Sequence, residues 1–337
     1  MFQLSRTMQS PSTVLLGIPF LIVSFLLPIW IKEAYLLHSL TMILYFAFMA
    51  TAWNFVCGYV GQLSLGHAVF AGLAGYVTVL LFTLTGLSPW LGMLFGGIAA
   101  ALLSLAIGYP TFKLKGPYFT LTTIAFAEIV RIWLENTDDF LGIPLKGAQG
   151  LIVPPSDKGA LDYQFDGKLP YYYIALVLLT LSLVATILLE RSRLGYYLKA
   201  IRGDQNGAEA LGINPTRCSL IALAISAFIT GLGGAFFAQF FRYINPERNM
   251  GIEFSIDVAL MAIVGGQGTV LGPTIGALIL HPIAELARSY LGGQFLGLHL
   301  VIYGVILMVA VLYFPKGLIA PIDRWFKRQL HKGSDHE

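Results

Sequence analysis

Long apolar runs, separated by short polar segments, occupy almost the whole chain. Most runs are about 17–25 residues long, which is the length that an α-helix needs to cross a bilayer, and they lack the alternating pattern of membrane β-strands. We therefore predict an all-α, polytopic membrane protein with about ten transmembrane or half-membrane helices. The predicted apolar segments lie near residues 14–31, 35–57, 62–83, 89–109, 116–135, 171–190, 218–241, 254–265, 272–291 and 298–314.

Composition supports a membrane protein rather than a large soluble core. The 337 residues are 56% hydrophobic and 12% charged, with a mean hydropathy of +0.74, whereas soluble domains carry roughly 25% charged residues. The net charge of +3 is small, so a nucleic acid is not an expected partner. Cys57 and Cys218 lie far apart, in or beside apolar segments, and are predicted to be small packing residues.

Basic residues predict the orientation of the chain. If both termini lie in the cytoplasm, most of the 21 Lys and Arg residues fall on that side, as the positive-inside rule requires. Residues 1–337 then form one transmembrane domain with an extracytoplasmic loop at 136–170, a cytoplasmic loop at 191–217 and a cytoplasmic tail at 318–337. The extracytoplasmic loop is rich in Gly and Pro, so it is either a solvated connector or a docking surface for an external partner.

The cytoplasmic loop is the longest basic island between two apolar runs. A stripe at helical spacing predicts a first helix in it, formed by Leu194, Leu198 and Ile201. Gly203 ends that helix, Asp204 can cap a second short helix through Leu211, and Gly212 is placed to end it. Asn214-Pro215 then starts the next membrane helix. A loop that only joined two spans would not need two capped helices, so we expect a cytoplasmic partner to hold it.

Two glycine-rich segments, 58–67 and 265–273, interrupt apolar runs in the two halves of the chain. Both contain Gly-Gln-x-(Ser/Thr). Paired interruptions are typical of transporters built from repeats and suggest an inverted repeat as a hypothesis. Non-helical backbone at membrane depth lines water or is buried in protein, so these residues line or gate a pathway, or they cap and pack helices. The candidates are Gly61, Gln62, Ser64, Gly66, His67, Gly265, Gly266, Gln267, Gly268, Thr269 and Gly272.

Charged residues inside the apolar segments can neutralise each other locally. Glu128 and Arg131 are three residues apart, as are Glu285 and Arg288, so each pair can form on one helix face. No chain of carboxylates for proton coupling is visible, and the sequence contains neither a phosphate-binding Gly-x-x-x-x-Gly-Lys-(Ser/Thr) motif nor a metal-ligand cluster. Ser64 and His67 lack a third orienting group, which argues against an intramembrane hydrolase.

Several blocks resemble a known family. Residues 208–213, Ala-Glu-Ala-Leu-Gly-Ile, resemble the coupling-loop motif of ABC-importer permeases in the form found in the LivM-type branched-chain amino-acid permease family. The blocks at 61–66, 116–128 and 265–269 are similar to other parts of that family, and the resemblance spans roughly residues 35 to 317. In the general importer motif the glycine stands further from the glutamate and a second alanine replaces Leu211, so the family form is the better guide.

The resemblance implies a non-enzymatic permease subunit that works with other chains. They are a second homologous permease, two cytoplasmic ATPase subunits that use ATP and Mg²⁺, and an extracytoplasmic binding protein. This chain itself would bind no cofactor. The resemblance also implies a multi-pass location in the bacterial cytoplasmic (inner) membrane and a set of residues that couple to the ATPase: Arg202, Asp204, Ala208, Glu209, Ala210, Leu211, Gly212 and Ile213.

The sequence leaves the solute open. The resemblance implies branched-chain or related hydrophobic amino acids, and importers of urea or short amides occur in the same family. A self-sufficient small-solute channel or secondary carrier could use the same glycine breaks. A membrane scaffold or receptor would leave those breaks unexplained.

Overall fold

The computed structural model describes residues 11–31, 33–114, 116–291, 304, 305, 308, 312, 313 and 317–321. Most of the predicted span 298–314 and of the predicted tail 318–337 lies outside these residues. Within the described part the fold is all-α, as predicted, with only two-residue strands. The helices are α1 (Pro11–Trp30), α2 (Ala34–Cys57), α3 (His67–Thr85), α4 (Pro89–Thr111), α5 (Pro117–Glu135), α6 (Leu169–Arg191), α7 (Arg193–Gly203), α8 (Gln205–Ala210), α9 (Pro215–Phe241), α10 (Pro246–Met250), α11 (Ile252–Gly266) and α12 (Gly272–Leu291).

Six segments of the described chain are long and apolar enough to cross a membrane, which confirms a multi-pass membrane protein. They are α2, α3, α4, α6, α9 and the segment Pro246–Gly266, which combines α10 and α11. Helix α5 also forms where it is predicted, and Arg131 lies 2.8 Å from Glu128 and 2.7 Å from Glu135. The predicted Glu128–Arg131 pair is therefore confirmed, and Glu135 extends it to three charges on one helix face.

Two predicted boundaries are wrong. The span predicted at 62–83 begins only at His67, because Gly61 has φ +83° and residues 61–66 are not helical. The segment predicted as a short span at 254–265 belongs to a 21-residue candidate span, Pro246–Gly266, in which Gly251 interrupts the helix. Residues outside the α region, such as a glycine with positive φ, end regular helices, and their effect on a boundary is poorly visible in hydropathy.

The chain divides into two compact units. One contains residues 1–51, 172–195 and 260–337, and the other contains 52–171 and 196–259. Each glycine break falls in a different unit, and the second unit also contains most of the cytoplasmic loop.

In the unit formed by 52–171 and 196–259, helices α3, α4 and α9 pack on one another through small residues. A Cβ added to Gly234 of α9 would overlap the backbone of Ala71 in α3, and one added to Gly96 of α4 would lie 2.6 Å from the Ala74 carbonyl oxygen. Glycines that let backbones approach this closely are typical of membrane helix interfaces.

The loop at 136–170, which is predicted to be extracytoplasmic, is folded onto the end of this unit. Strands β1 (Asp139–Phe140) and β2 (Ile143–Pro144) form a hairpin, and β3 (Leu151–Ile152) pairs with β4 (Tyr243–Ile244). The indole Nε1 of Trp90 donates to the Ala160 carbonyl at 2.9 Å, and the Trp90 ring lies 4.4 Å from that of Tyr163. Burial raises the pKa of the Tyr163 phenol well above its usual value. The loop is thus more than a solvated connector, and its docking role stays a prediction.

In the unit that contains 1–51, 172–195 and 260–337, tyrosine and polar contacts join helices distant in sequence. The Tyr172 hydroxyl donates to the Ser24 carbonyl at 2.6 Å, which joins α6 to α1. The Ser39 hydroxyl donates to Glu285 at 2.7 Å, which joins α2 to α12. The predicted Glu285–Arg288 pair involves an Arg288 side chain that lies outside the described residues.

Candidate coupling loop and glycine breaks

The first helix of the loop at 191–217, α7, buries most of the predicted apolar stripe. Leu198 is fully buried and Ile201 is 5% exposed, whereas Leu194 is partly exposed. The apolar spacing therefore placed the buried face of α7 correctly.

The second helix, α8, is capped at both ends as the sequence predicts. The Asp204 side chain accepts from the Asn206 amide at 3.0 Å. Gly212, with φ +84°, donates its amide to the Glu209 carbonyl at 2.9 Å, and the Ile213 amide donates to the Ala208 carbonyl at 3.1 Å. This pair of bonds is a Schellman motif, which requires the glycine to stand three residues after Glu209.

One face of α8 and its C-terminal turn project away from the rest of the unit. Ala208 is 3% exposed, while Glu209, Ala210 and Gly212 are exposed and Leu211 is 83% exposed. The chain then enters α9 through Asn214, whose side chain accepts from the Arg217 amide at 2.9 Å. A large apolar side chain held out on a doubly capped turn is a suitable surface for a protein partner.

Arg202 has a partner within its own chain that sequence reasoning missed. Its Nη1 donates to the carbonyl of Gly58, the first residue after α2. Lys199, one turn earlier, lies with its Nζ 5.7 Å from the centroid of the Tyr59 ring. The structure thus brings the end of α7 next to the start of the first glycine break.

Side chains from two helices satisfy the backbone of the first break. The indole of Trp53 donates to the Ser64 carbonyl at 2.8 Å, and the Ser64 amide donates to the sulfur of Cys57 at 3.1 Å. Cys57 is therefore more than a packing residue.

From α5, the Thr120 hydroxyl donates to the Leu63 carbonyl at 2.7 Å, and Thr123 accepts from the Leu65 amide at 3.3 Å. In the sequence, the only hint of the contacts from α5 was the pair Thr120 and Thr123, which are three residues apart near the start of that helix and so share a face.

His67 belongs to a buried hydrogen-bond chain rather than to a pair with Ser64. The Ser226 hydroxyl donates its single hydrogen to the Ala52 carbonyl at 2.6 Å, so its oxygen accepts from His67 Nε2 at 2.9 Å. This fixes the hydrogen on Nε2 and leaves Nδ1 as an acceptor. Nδ1 is buried and has no partner among the described residues, as is the case for Gln62 Oε1 in the same break.

Replacing Ser226 by alanine is expected to destabilise the fold. The change leaves the His67 N–H buried without its acceptor, while the Ala52 carbonyl, which lies inside α2, loses only its additional bond. An orphaned buried donor costs about 1–3 kcal/mol. Thermal unfolding in detergent measures the loss. Thr85→Val is a matched control, because that hydroxyl donates to the Leu81 carbonyl at an exposed position and its loss is worth about 0.5 kcal/mol or less. Equal melting temperatures for the two variants would contradict the hydrogen bonds assigned to His67, Ser226 and Ala52.

The second break is packed and capped in its own unit. A Cβ on Gly265 would overlap the Gly272 carbonyl and lie 2.7 Å from the Gly276 amide nitrogen. The Thr269 hydroxyl donates to the Gly266 carbonyl at 2.7 Å and accepts from the Gly272 amide at 3.1 Å. These contacts favour the packing alternative for Gly265 and Gly272 and the capping alternative for Thr269. Gly268 has φ +77°, which other residues rarely adopt. The Gln267 side chain is exposed, so the packing of Gly265 against Gly272 gives it no role.

No group of three or more His, Cys, Asp or Glu residues with metal-binding geometry occurs in the part of the chain that the structure describes. Several apolar helices and two glycine-interrupted segments are features of a polytopic membrane permease.

Comparison with known proteins identifies the family. Residues 35–312 match the sequence model of the family described as "Branched-chain amino acid transport system / permease component". Because this match covers most of the chain, the protein belongs to that family. No solved structure matches the chain.

Named relatives include both permease types of one transport system. The chain is 29% identical to the high-affinity branched-chain amino acid transport system permease protein LivM of Salmonella typhimurium, over 84% of this chain and 69% of LivM. The chain is also 29% identical to LivM of Escherichia coli, over 85% of this chain and 69% of that protein. LivH of Salmonella typhimurium is 23% identical over 81% of this chain and 91% of LivH.

Proposed function

We propose that this protein is one permease subunit of an ATP-driven importer. It pairs with a second, similar permease, and two cytoplasmic ATPase subunits bind and hydrolyse ATP with Mg²⁺. An extracytoplasmic binding protein delivers the solute, and this chain itself binds no cofactor. The complex lies in the cytoplasmic membrane, with both termini of this chain in the cytoplasm.

The observation that carries the proposal is the projecting turn at the end of α8. Leu211 is 83% exposed on a helix that both Asp204 and Gly212 cap. A rigid apolar projection from a basic loop fits a cleft on a soluble partner. Closure of the ATPase pair would push this helix and move the membrane helices attached to it.

Branched-chain or related hydrophobic amino acids are the proposed solutes. The LivM and LivH relatives are named for branched-chain amino acid transport, and residues 35–312 match the corresponding family. Urea and short amides are the alternative solutes.

Reconstitution tests both the class and the solute. The chain is placed in liposomes with its second permease, the ATPase subunits and the binding protein, and uptake of radiolabelled leucine is measured with and without ATP. We expect uptake only with ATP and the complete set, and competition by isoleucine and valine but not by urea. Leucine flux through the chain alone would instead establish a self-sufficient channel or carrier.

A further inference from the structure

The C-terminal end of α2 is held by two cations of the cytoplasmic loop. The last carbonyls of a helix lack intrahelical partners and carry partial negative charge. Arg202 donates to the Gly58 carbonyl at this end, and the Lys199 ammonium lies over the Tyr59 ring. Arg202 and Lys199 are three residues apart on α7, so both act from one helix face.

The stem of Arg202 also fits against the first glycine break. A Cβ on Gly61 would lie 2.7 Å from Cγ of Arg202. Gly61 has φ +83°, a conformation that other residues rarely adopt. Tyr59 and Val60, between these two contact points, are 1% and 2% exposed, whereas Gly61 and Arg202 lie at the surface. Arg202 thus spans the surface of the break from Gly58 to Gly61.

Only one residue separates α7 from α8. Asp204 donates its amide to the Ala200 carbonyl at 3.0 Å, in continuation of α7, while its side chain caps α8. Leu198 and Ile201 are buried, which restrains α7. A displacement of α8 therefore acts on Arg202 through a single residue and a packed helix.

We propose that Arg202 is a positioning residue that links the coupling helix α8 to the first glycine break. It acts on the backbone of Gly58 and Gly61 instead of contacting an ATPase subunit. Movement of α8 is thereby transmitted to residues 58–66 and, through them, to the start of α3 at His67. This inference rests on the proposed importer function and assigns to Arg202 a role within its own chain.

Arg202→Met tests the link, because methionine keeps an unbranched stem against Gly61 but removes the charge and the donor. Uptake and ATP hydrolysis are measured in the reconstituted complete importer. We expect the variant to assemble with the ATPase subunits and to hydrolyse ATP within about twofold of the wild type, while solute imported per ATP falls at least about tenfold. A purely structural defect would lower both rates together and leave their ratio unchanged.

Arg217→Met is the matched control, since Arg217 is an exposed arginine near the other end of the same loop. This variant should import as much solute per ATP hydrolysed as the wild type. Gly61→Ala should lower the ratio as Arg202→Met does, because its Cβ pushes on the same contact from the opposite side.

Three outcomes overturn the inference. Wild-type rates of both uptake and ATP hydrolysis in Arg202→Met would show that the contact transmits nothing. Loss of ATPase assembly in that variant makes Arg202 a contact to the partner, and parallel loss of both activities makes it a folding residue. If the wild-type complex itself shows no ATP-driven uptake, the importer function fails instead, and that failure is seen before any variant is made.

Discussion

Leu211→Asp is expected to reduce ATP-driven uptake by about a hundredfold without loss of inserted protein. The side chain is 83% exposed, so its replacement costs the fold of this chain little. In the proposed complex the same side chain is buried in a cleft of an ATPase subunit, where a carboxylate would be desolvated without a partner. A penalty of about 3 kcal/mol or more weakens the affinity for the ATPase subunit by about a hundredfold or more.

The measurement is co-purification of the ATPase subunits with this chain, together with uptake in proteoliposomes. Leu161→Asp is the matched control, because Leu161 is 71% exposed in the loop at 136–170, which is predicted to lie on the opposite side of the membrane. That control should leave ATPase co-purification intact. Normal co-purification and uptake in Leu211→Asp would refute the coupling role of α8.

Gly265→Val is expected to prevent correct folding. Its Cβ would overlap the backbone of Gly272 and lie 2.7 Å from the Gly276 nitrogen, and backbone atoms cannot rearrange as a flexible side chain can. Overpacking typically costs about 1–3 kcal/mol, and we expect a cost at or above the upper end here because the overlapping atoms belong to the backbone. The yield of monodisperse protein after detergent extraction should therefore fall severely, and the remaining protein should unfold at a lower temperature.

Gly167→Val is the matched control, because nothing lies within 4 Å of a Cβ added at that exposed position. Its yield and melting temperature should match those of the wild type. Normal yield with abolished transport for Gly265→Val would return Gly265 to the pathway residues. Normal yield and normal transport would contradict the close packing of α11 and α12.

The local structure of the cytoplasmic loop was predictable because it depends on near neighbours. Asp204, Gly212 and Asn214 each act on backbone groups within a few residues. Helix caps need particular side chains or positive φ at fixed offsets, so the two short helices could be placed from sequence spacing. The apolar stripe of α7 likewise predicted its buried face.

The partners of the glycine breaks were not predictable in the same way. Ser226 lies 159 residues after His67, and Arg202 lies 144 residues after Gly58. Nothing in the sequence around His67 distinguishes Ser226 from Ser64 as its partner. For the glycines of the breaks the sequence left both pathway lining and packing open, and contact with Gly272 and Gly276 favours packing for Gly265.

The sequence by itself determined the membrane class, the helical segments, the two breaks and the caps of α8, because hydropathy, helical periodicity and capping act over one element at a time. Only the tertiary structure decided that Arg202 holds the end of α2, that threonines of α5 satisfy the first break, and that backbone packing fills the second. These contacts join residues that are distant in the chain, and every buried polar group takes whichever partner the packed helices bring within reach.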